Sequence, residues 1–192
     1  MRLRTGMTGL VTVACASVFL APVPAVAAQA PQGEATASHC VGDLDTGKTT
    51  CYDTFRESVA AATGGRVTDA TQKTAAKDKN FPEKLNASTG TGTARAANAS
   101  HVIGVFYWDA NYSGPTWIAR AANPCYNNGR WDWRWTGLGD WNDAISSIQL
   151  AGNCYIRGWE HGDYSGATQY YTSDTTYVGN AMNDRISALE FN

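Results

Sequence analysis

The chain has 192 residues with 15 Lys+Arg against 17 Asp+Glu, a net charge of −2, and 43% hydrophobic residues. That is enough for one or two small globular domains. Without a Lys/Arg cluster it lacks the basic footprint of a nucleic-acid binder and the basic amphipathic face of a membrane-surface helix.

In chain order, the first element reads as an export signal. Arg2 and Arg4 precede an apolar run from Gly9 to Val23, and Ala25-Val26-Ala27 closes it as a small-residue cleavage site. Pro22 and Pro24 interrupt the run well short of the ~20 apolar residues a membrane span needs. Residues 1–27 are therefore expected to be removed and the protein secreted. Loss of the two arginines leaves 13 basic against 17 acidic side chains, a net of −4.

Export removes Cys15 and leaves Cys40, Cys51, Cys125 and Cys154, an even number suited to an oxidising compartment. Four cysteines allow three pairings, of which proximity favours Cys40–Cys51 and Cys125–Cys154. The first would cross a hairpin over the Asp45-Thr46-Gly47 turn and contribute about 3 kcal/mol by chain entropy. Zinc is disfavoured, because no cysteine has a partner two to four residues away.

Residues 38–70 are expected to hold this small disulfide hairpin and a short helix. Asp53 or Thr54 reads as its N-cap, Glu57 lies in its first turns, and Gly64-Gly65 reads as its stop. Residues 71–100 carry almost no large apolar side chains and are expected to be a flexible linker. Residues 101–192 differ in kind. All seven tryptophans lie between Trp108 and Trp159, and short β-type runs alternate with Gly, Asn and Asp turns. The runs HVIGVFYW, PTWIAR, SSIQL, CYIRGW, ATQYYT and SALEF predict an all-β antiparallel sandwich or barrel.

Two elements recur in the same order. YWDANYSG (Tyr107–Gly114) returns as WEHGDYSG (Trp159–Gly166), and WNDAISSIQL (Trp141–Leu150) returns as MNDRISALEF (Met182–Phe191). Two copies of one supersecondary unit follow. On these motifs the stretch resembles the βγ-crystallin family, whose domains pair two Greek-key motifs. Its calcium-binding members carry Asn/Asp-Asn/Asp-x-x-Ser/Thr-Ser before the last strand. Asn142 to Ser147 matches that pattern fully, whereas Asn183 to Ala188 departs at its final position.

The motif also has a direct chemical reading. Asp143 and Asp184 offer carboxylates, Ser146 and Ser187 offer hydroxyls, and Ala144 and Arg185 offer backbone carbonyls. This oxygen-only set suits Ca²⁺. One loop supplies too few ligands, so two facing loops would share them. The resemblance implies two sites straddling the repeats, with the carbonyls of Trp108 and Glu160 contributing. The alternative is turn chemistry, in which Asn, Asp and Ser bond only to nearby backbone.

The copies are unequal: Gly114 to Asn142 spans 28 residues and Gly166 to Asn183 spans 17. The surplus contains RWDWRWTG, where Trp131, Trp133 and Trp135 alternate. Either this indole face packs onto the sandwich, or it is an exposed ligand platform. No catalytic constellation is visible. His39, His101 and His161 are dispersed, and Asp109 and Glu160 read as hairpin surface residues. The expectation is a secreted, non-catalytic, monomeric calcium-binding protein. Two alternatives from other classes stand beside it. One is an inhibitor of a metalloproteinase or a killer-toxin-like antimicrobial protein. The other is a carbohydrate-binding module, with a cell-wall or polysaccharide partner, using the tryptophan face.

Overall fold

The computed structural model describes residues 38–87 and 100–192. The export signal lies outside them. The N-terminal strands β1 (His39–Asp43) and β2 (Lys48–Tyr52) form the expected hairpin, with Cys40 and Cys51 directly opposite and joined by a disulfide. Asp43 shapes the turn: its carboxylate accepts from the Thr46 N–H and hydroxyl, and Gly47 takes φ +71°.

Helix α1 (Phe55–Ala62) starts on Thr54, whose hydroxyl accepts from the Glu57 N–H while the Glu57 carboxylate accepts from the Thr54 N–H. This capping box satisfies two otherwise orphaned donors. At the other end Gly64 N–H reaches Ala61 O and Gly65 N–H reaches Ala60 O, the paired bonds that close a helix through glycine.

The stretch expected as a linker behaves differently. Residues Gln72–Ala75 form the single turn α2 and Phe81–Asn86 form α3, with Ala75, Phe81, Pro82 and Leu85 buried. Its few apolar side chains suffice because the opposing sheet supplies the rest of the contact. Asn86 fastens α3 down, its side chain exchanging two 2.8 Å hydrogen bonds with the backbone of Val102. Residues 88–99 of the expected linker lie outside the described residues.

Seven strands follow: β3 (His101–Asp109), β4 (Ser113–Ala121), β5 (Trp133–Trp135), β6 (Ser147–Leu150), β7 (Ile156–Trp159), β8 (Thr168–Tyr171) and β9 (Ala188–Phe191). One sheet runs β2-β1-β4-β3-β6 and the other β5-β9-β7-β8. All pairings are antiparallel except β1 with β4. The hairpin of residues 38–52 is therefore not a separate element but an extension of the first sheet. The duplication is visible in the order. β4-β3-β6 and β8-β7-β9 correspond, and each motif sends its third segment to the other sheet. β5 of the first motif pairs with β9, and Thr175 of the second bridges Ile148.

Two cores result. Ile103, Phe106, Trp117, Ile148, Ile156, Ile186, Leu189 and Phe191 fill the space between the sheets. Val105, Tyr107 and Ile118, on the opposite face of the first sheet, meet Phe55, Val59, Phe81 and Leu85 of the helices. Residues 102–107 of β3 are buried on both faces for this reason. The architecture is a β-sandwich of two sheets with a helical layer on one of them. The second disulfide, Cys125–Cys154, ties the excursion after β4 to the start of the second motif.

Candidate metal centre

The opening hairpins of the two motifs are built alike. Tyr107 packs on Tyr112 with ring centroids 5.5 Å apart, and Trp159 packs on Tyr164 at 6.5 Å. Gly114 and Gly166 adopt φ +75° and +78°, a backbone that glycine reaches without strain. A Cβ at Gly114 would stand 2.4 Å from Asp109 Oδ2, so space as well as conformation requires glycine there.

The closing loops then dock on the hairpins in matching register. Ser146 N–H donates to Tyr107 O at 2.9 Å, and Ser187 N–H donates to Trp159 O at 2.8 Å. Asp143 and Asp184 both take left-handed backbones, at φ 57° and 53°. This turns their carboxylates across the motif boundary. Ser187 Oγ donates to Asp143 Oδ1 at 2.9 Å, and Ser146 Oγ donates to Asp184 Oδ1 at 3.3 Å. The second oxygen of each carboxylate accepts from the preceding amide, Asn142 Nδ2 at 2.8 Å and Asn183 Nδ2 at 2.7 Å. Each loop therefore presents its own serine beside the other loop's aspartate.

This donor set fits a hard cation. Among the described residues no three His, Cys, Asp or Glu side chains cluster as a candidate metal site. What each loop offers is one carboxylate, one hydroxyl and nearby carbonyls, all oxygen, as Ca²⁺ favours. The reciprocal geometry goes beyond turn chemistry, in which Asp and Ser bond locally, because these partners lie 44 and 38 residues apart.

Three differences between the copies bear on the loops. Ser147 Oγ donates to Asp109 O and accepts from Tyr112 N–H, bracing the first hairpin. Ala188 stands there in the second copy, and Tyr164 N–H bonds His161 O directly instead. Trp108 is 40% exposed and meets Trp141 edge to face at 5.5 Å. Its counterpart Glu160 pairs with Arg185, the counterpart of Ala144. The Ala167 N–H, and then Arg185, hold the Glu160 carboxyl below its usual range.

The three alternating indoles do not share one exposed face. Trp135 is 6% exposed and packs on Trp117 in the inter-sheet core. Trp133 is half-buried, its Nε1 donating to Asp45 of the N-terminal hairpin. Trp131 stacks on Tyr170, beside Arg157, which lies over both Tyr170 and Trp159. β5 is only three residues long, so alternation governs Trp133 and Trp135 alone, and the twist beyond it carries Trp131 elsewhere. Sequence reasoning missed Asn142 and Asn183 as supports of the carboxylates, although the Asn-Asp pair was the available signal. It read Asp45 as a turn residue and missed its bonds to Ala122 and Trp133, since nothing local links that turn to those positions.

No protein-family model and no curated protein sequence matches the chain. Solved structures do. A double mutant of a βγ-crystallin domain from Clostridium beijerinckii is 28% identical, the match covering 46% of this chain and 94% of that one at a TM-score of 0.37. A βγ-crystallin domain from Flavobacterium johnsoniae is 20% identical, over 47% of this chain and 93% of that one, at 0.36. The βγ-crystallin domain of Abundant Perithecial Protein from Neurospora crassa, in its Ca²⁺-bound form, is 17% identical over 47% and 87%, at 0.35. Duplicated hairpins and reciprocal strand exchange make residues 101–192 a double Greek-key β-sandwich, and βγ-crystallin domains are what it is similar to.

Proposed function

We propose that the protein is a secreted, non-catalytic calcium binder whose ions sit between the two closing loops. The observation that carries this reading is the pair of crossed contacts, Ser187 with Asp143 and Ser146 with Asp184. Asp184, Ser146 and the carbonyls of Ala144 and Trp108 would hold one ion. Asp143, Ser187 and the carbonyls of Arg185 and Glu160 would hold the other. Bound Ca²⁺ would supply positive charge between the facing carboxylates and draw the two loops together. Four protein ligands fall short of the six to eight that Ca²⁺ takes, so water completes each shell and affinity is modest, at Kd of ~10⁻⁴–10⁻³ M.

Isothermal titration of the chelated protein tests the reading. Saturable binding is expected, weakened by Asp143→Ala and by Asp184→Ala. The crossing makes a sharper demand. Ser187→Ala should be non-additive with Asp143→Ala, and close to additive with Asp184→Ala, because contacting groups couple and separate ones do not. Unchanged binding in both aspartate variants would reduce the motif to turn chemistry.

A further inference from the structure

A cleft of about 480 Å³ lies between the N-terminal disulfide hairpin and the Gly137–Trp141 turn, and neither Asp143 nor Asp184 lines it. This volume is in the range of small-molecule sites, which are mostly apolar with a few placed polar groups. Its walls have that character. Trp108, Pro115 and Leu138 supply apolar surface, and Thr49 and Asp140 supply a hydroxyl and a carboxylate. The cleft needs both additions to the duplicated unit. One wall is the Cys40–Cys51 hairpin, and the other belongs to the stretch by which the first motif exceeds the second.

Two observations narrow the ligand. Among the described residues Asp140 is the only charged one lining the cleft, so a phosphate or carboxylate finds no counter-charge among them. A quaternary ammonium would need a cage of aromatic faces. Here Trp108 alone is open, for Trp141 is 5% exposed and meets it edge-on. One open indole face with hydroxyl and carboxylate partners beside it suits a neutral polyhydroxylated ring. Independently, Trp135 Nε1 is buried without a hydrogen-bond partner among the described residues. It lies behind Gly137 of the cleft wall, 3.9 Å from where a Cβ on that glycine would stand. An unsatisfied N–H is costly to bury and favours an acceptor nearby.

We infer that this cleft is a saccharide-binding site, with a pyranose ring laid on the Trp108 indole and its hydroxyls donating to Asp140 and meeting Thr49. The inference does not rest on the calcium reading. It also differs from a platform of Trp131, Trp133 and Trp135, which share no exposed face, since Trp135 is buried and Trp133 packs against the same core.

Isothermal titration of the full chain with N,N′-diacetylchitobiose, cellobiose, maltose and choline, each in chelator and again in excess Ca²⁺, tests it. At least one disaccharide should saturate, in chelator as well as in Ca²⁺, and choline should not. Trp108→Ala should weaken that binding roughly tenfold or more, and Asp140→Asn several-fold, whereas Trp131→Ala leaves it unchanged. Thr49→Tyr fills the cleft from an exposed strand position and should abolish binding while leaving the melting temperature in place. That variant guards against misfolding of Trp108→Ala. No saturation by any disaccharide to about 50 mM, equal affinity in Thr49→Tyr, or choline binding in their stead overturns the assignment. Failure of Ca²⁺ to bind leaves it standing.

Discussion

Asp143 and Asp184 hold left-handed backbones, at φ 57° and 53°, that Asn, Asp and Gly tolerate far better than other residues. Conformation and ligand chemistry therefore coincide at one position, and an alanine there removes both. The two are separable by experiment. Asp143→Gly and Asp143→Ala should lose calcium binding alike. The alanine variant should be the less stable by about 1–2 kcal/mol, the cost of a left-handed Cβ, as denaturant unfolding in chelator would read out. A second residue-scale expectation concerns pH. Burial of His39, whose Nδ1 lies 2.8 Å from Thr116 Oγ1, lowers its pKa below 6.5. The unfolded chain then takes up a proton on His39 at a higher pH than the folded one. His39 thus costs no stability above about pH 7.5, and its penalty grows as pH falls through 6.5 toward the folded value. Melting temperature measured from pH 7.5 to 5.5 should fall for the parent and fall less for His39→Gln.

At the scale of elements, the strands and the first helix were legible because each carries a local signal: β-type runs between turns, a Thr54-to-Glu57 capping box, a double-glycine stop. The pairing Cys40–Cys51 followed from spacing, and the structure places it in register. Helices α2 and α3 were not legible. Their sequence offers Phe81 and Leu85 and little else, and the apolar surface that orders them belongs to other elements, Phe55 and Val59 of α1 and Val102, Val105 and Ile118 of the first sheet. Leu85 is 1% exposed within that second core. Leu85→Ala should destabilise by about 2–4 kcal/mol, measured by chemical denaturation, whereas a flexible linker would show almost no change. The indoles near β5 were half legible. Alternation placed Trp133 and Trp135 on a strand, but it gave no account of Asp45 coming to meet Trp133 or of Trp131 lying against Tyr170. The candidate loops were read from one motif repeated. The crossing of aspartate to serine was implied by resemblance and is visible only once the loops face each other.

At the scale of the molecule, the hairpin widens one sheet and the helices add a third layer to the sandwich, so calcium bound as proposed would act on a fold already complete. With the ion at roughly one to ten times Kd, mass action contributes only ~0.4–1.4 kcal/mol per site. The reciprocal exchange of strands has a different consequence, for the repeat is not a tandem of two independent halves. β5 leaves the first motif to border β9, and Thr175 leaves the second to bridge Ile148, so neither motif has a complete sheet of its own. Calorimetry should therefore record one transition, with van't Hoff and calorimetric enthalpies in agreement, and two resolved transitions would contradict the exchange. A protease that opened the Gly152–Asn153 turn would not set the halves free. Each would still be completed by the other's borrowed segment, and Cys125–Cys154 would bridge the cut covalently. The nicked molecule would behave as a self-complementing pair of fragments, and reduction of that one bond would turn a unimolecular refolding into a concentration-dependent reunion.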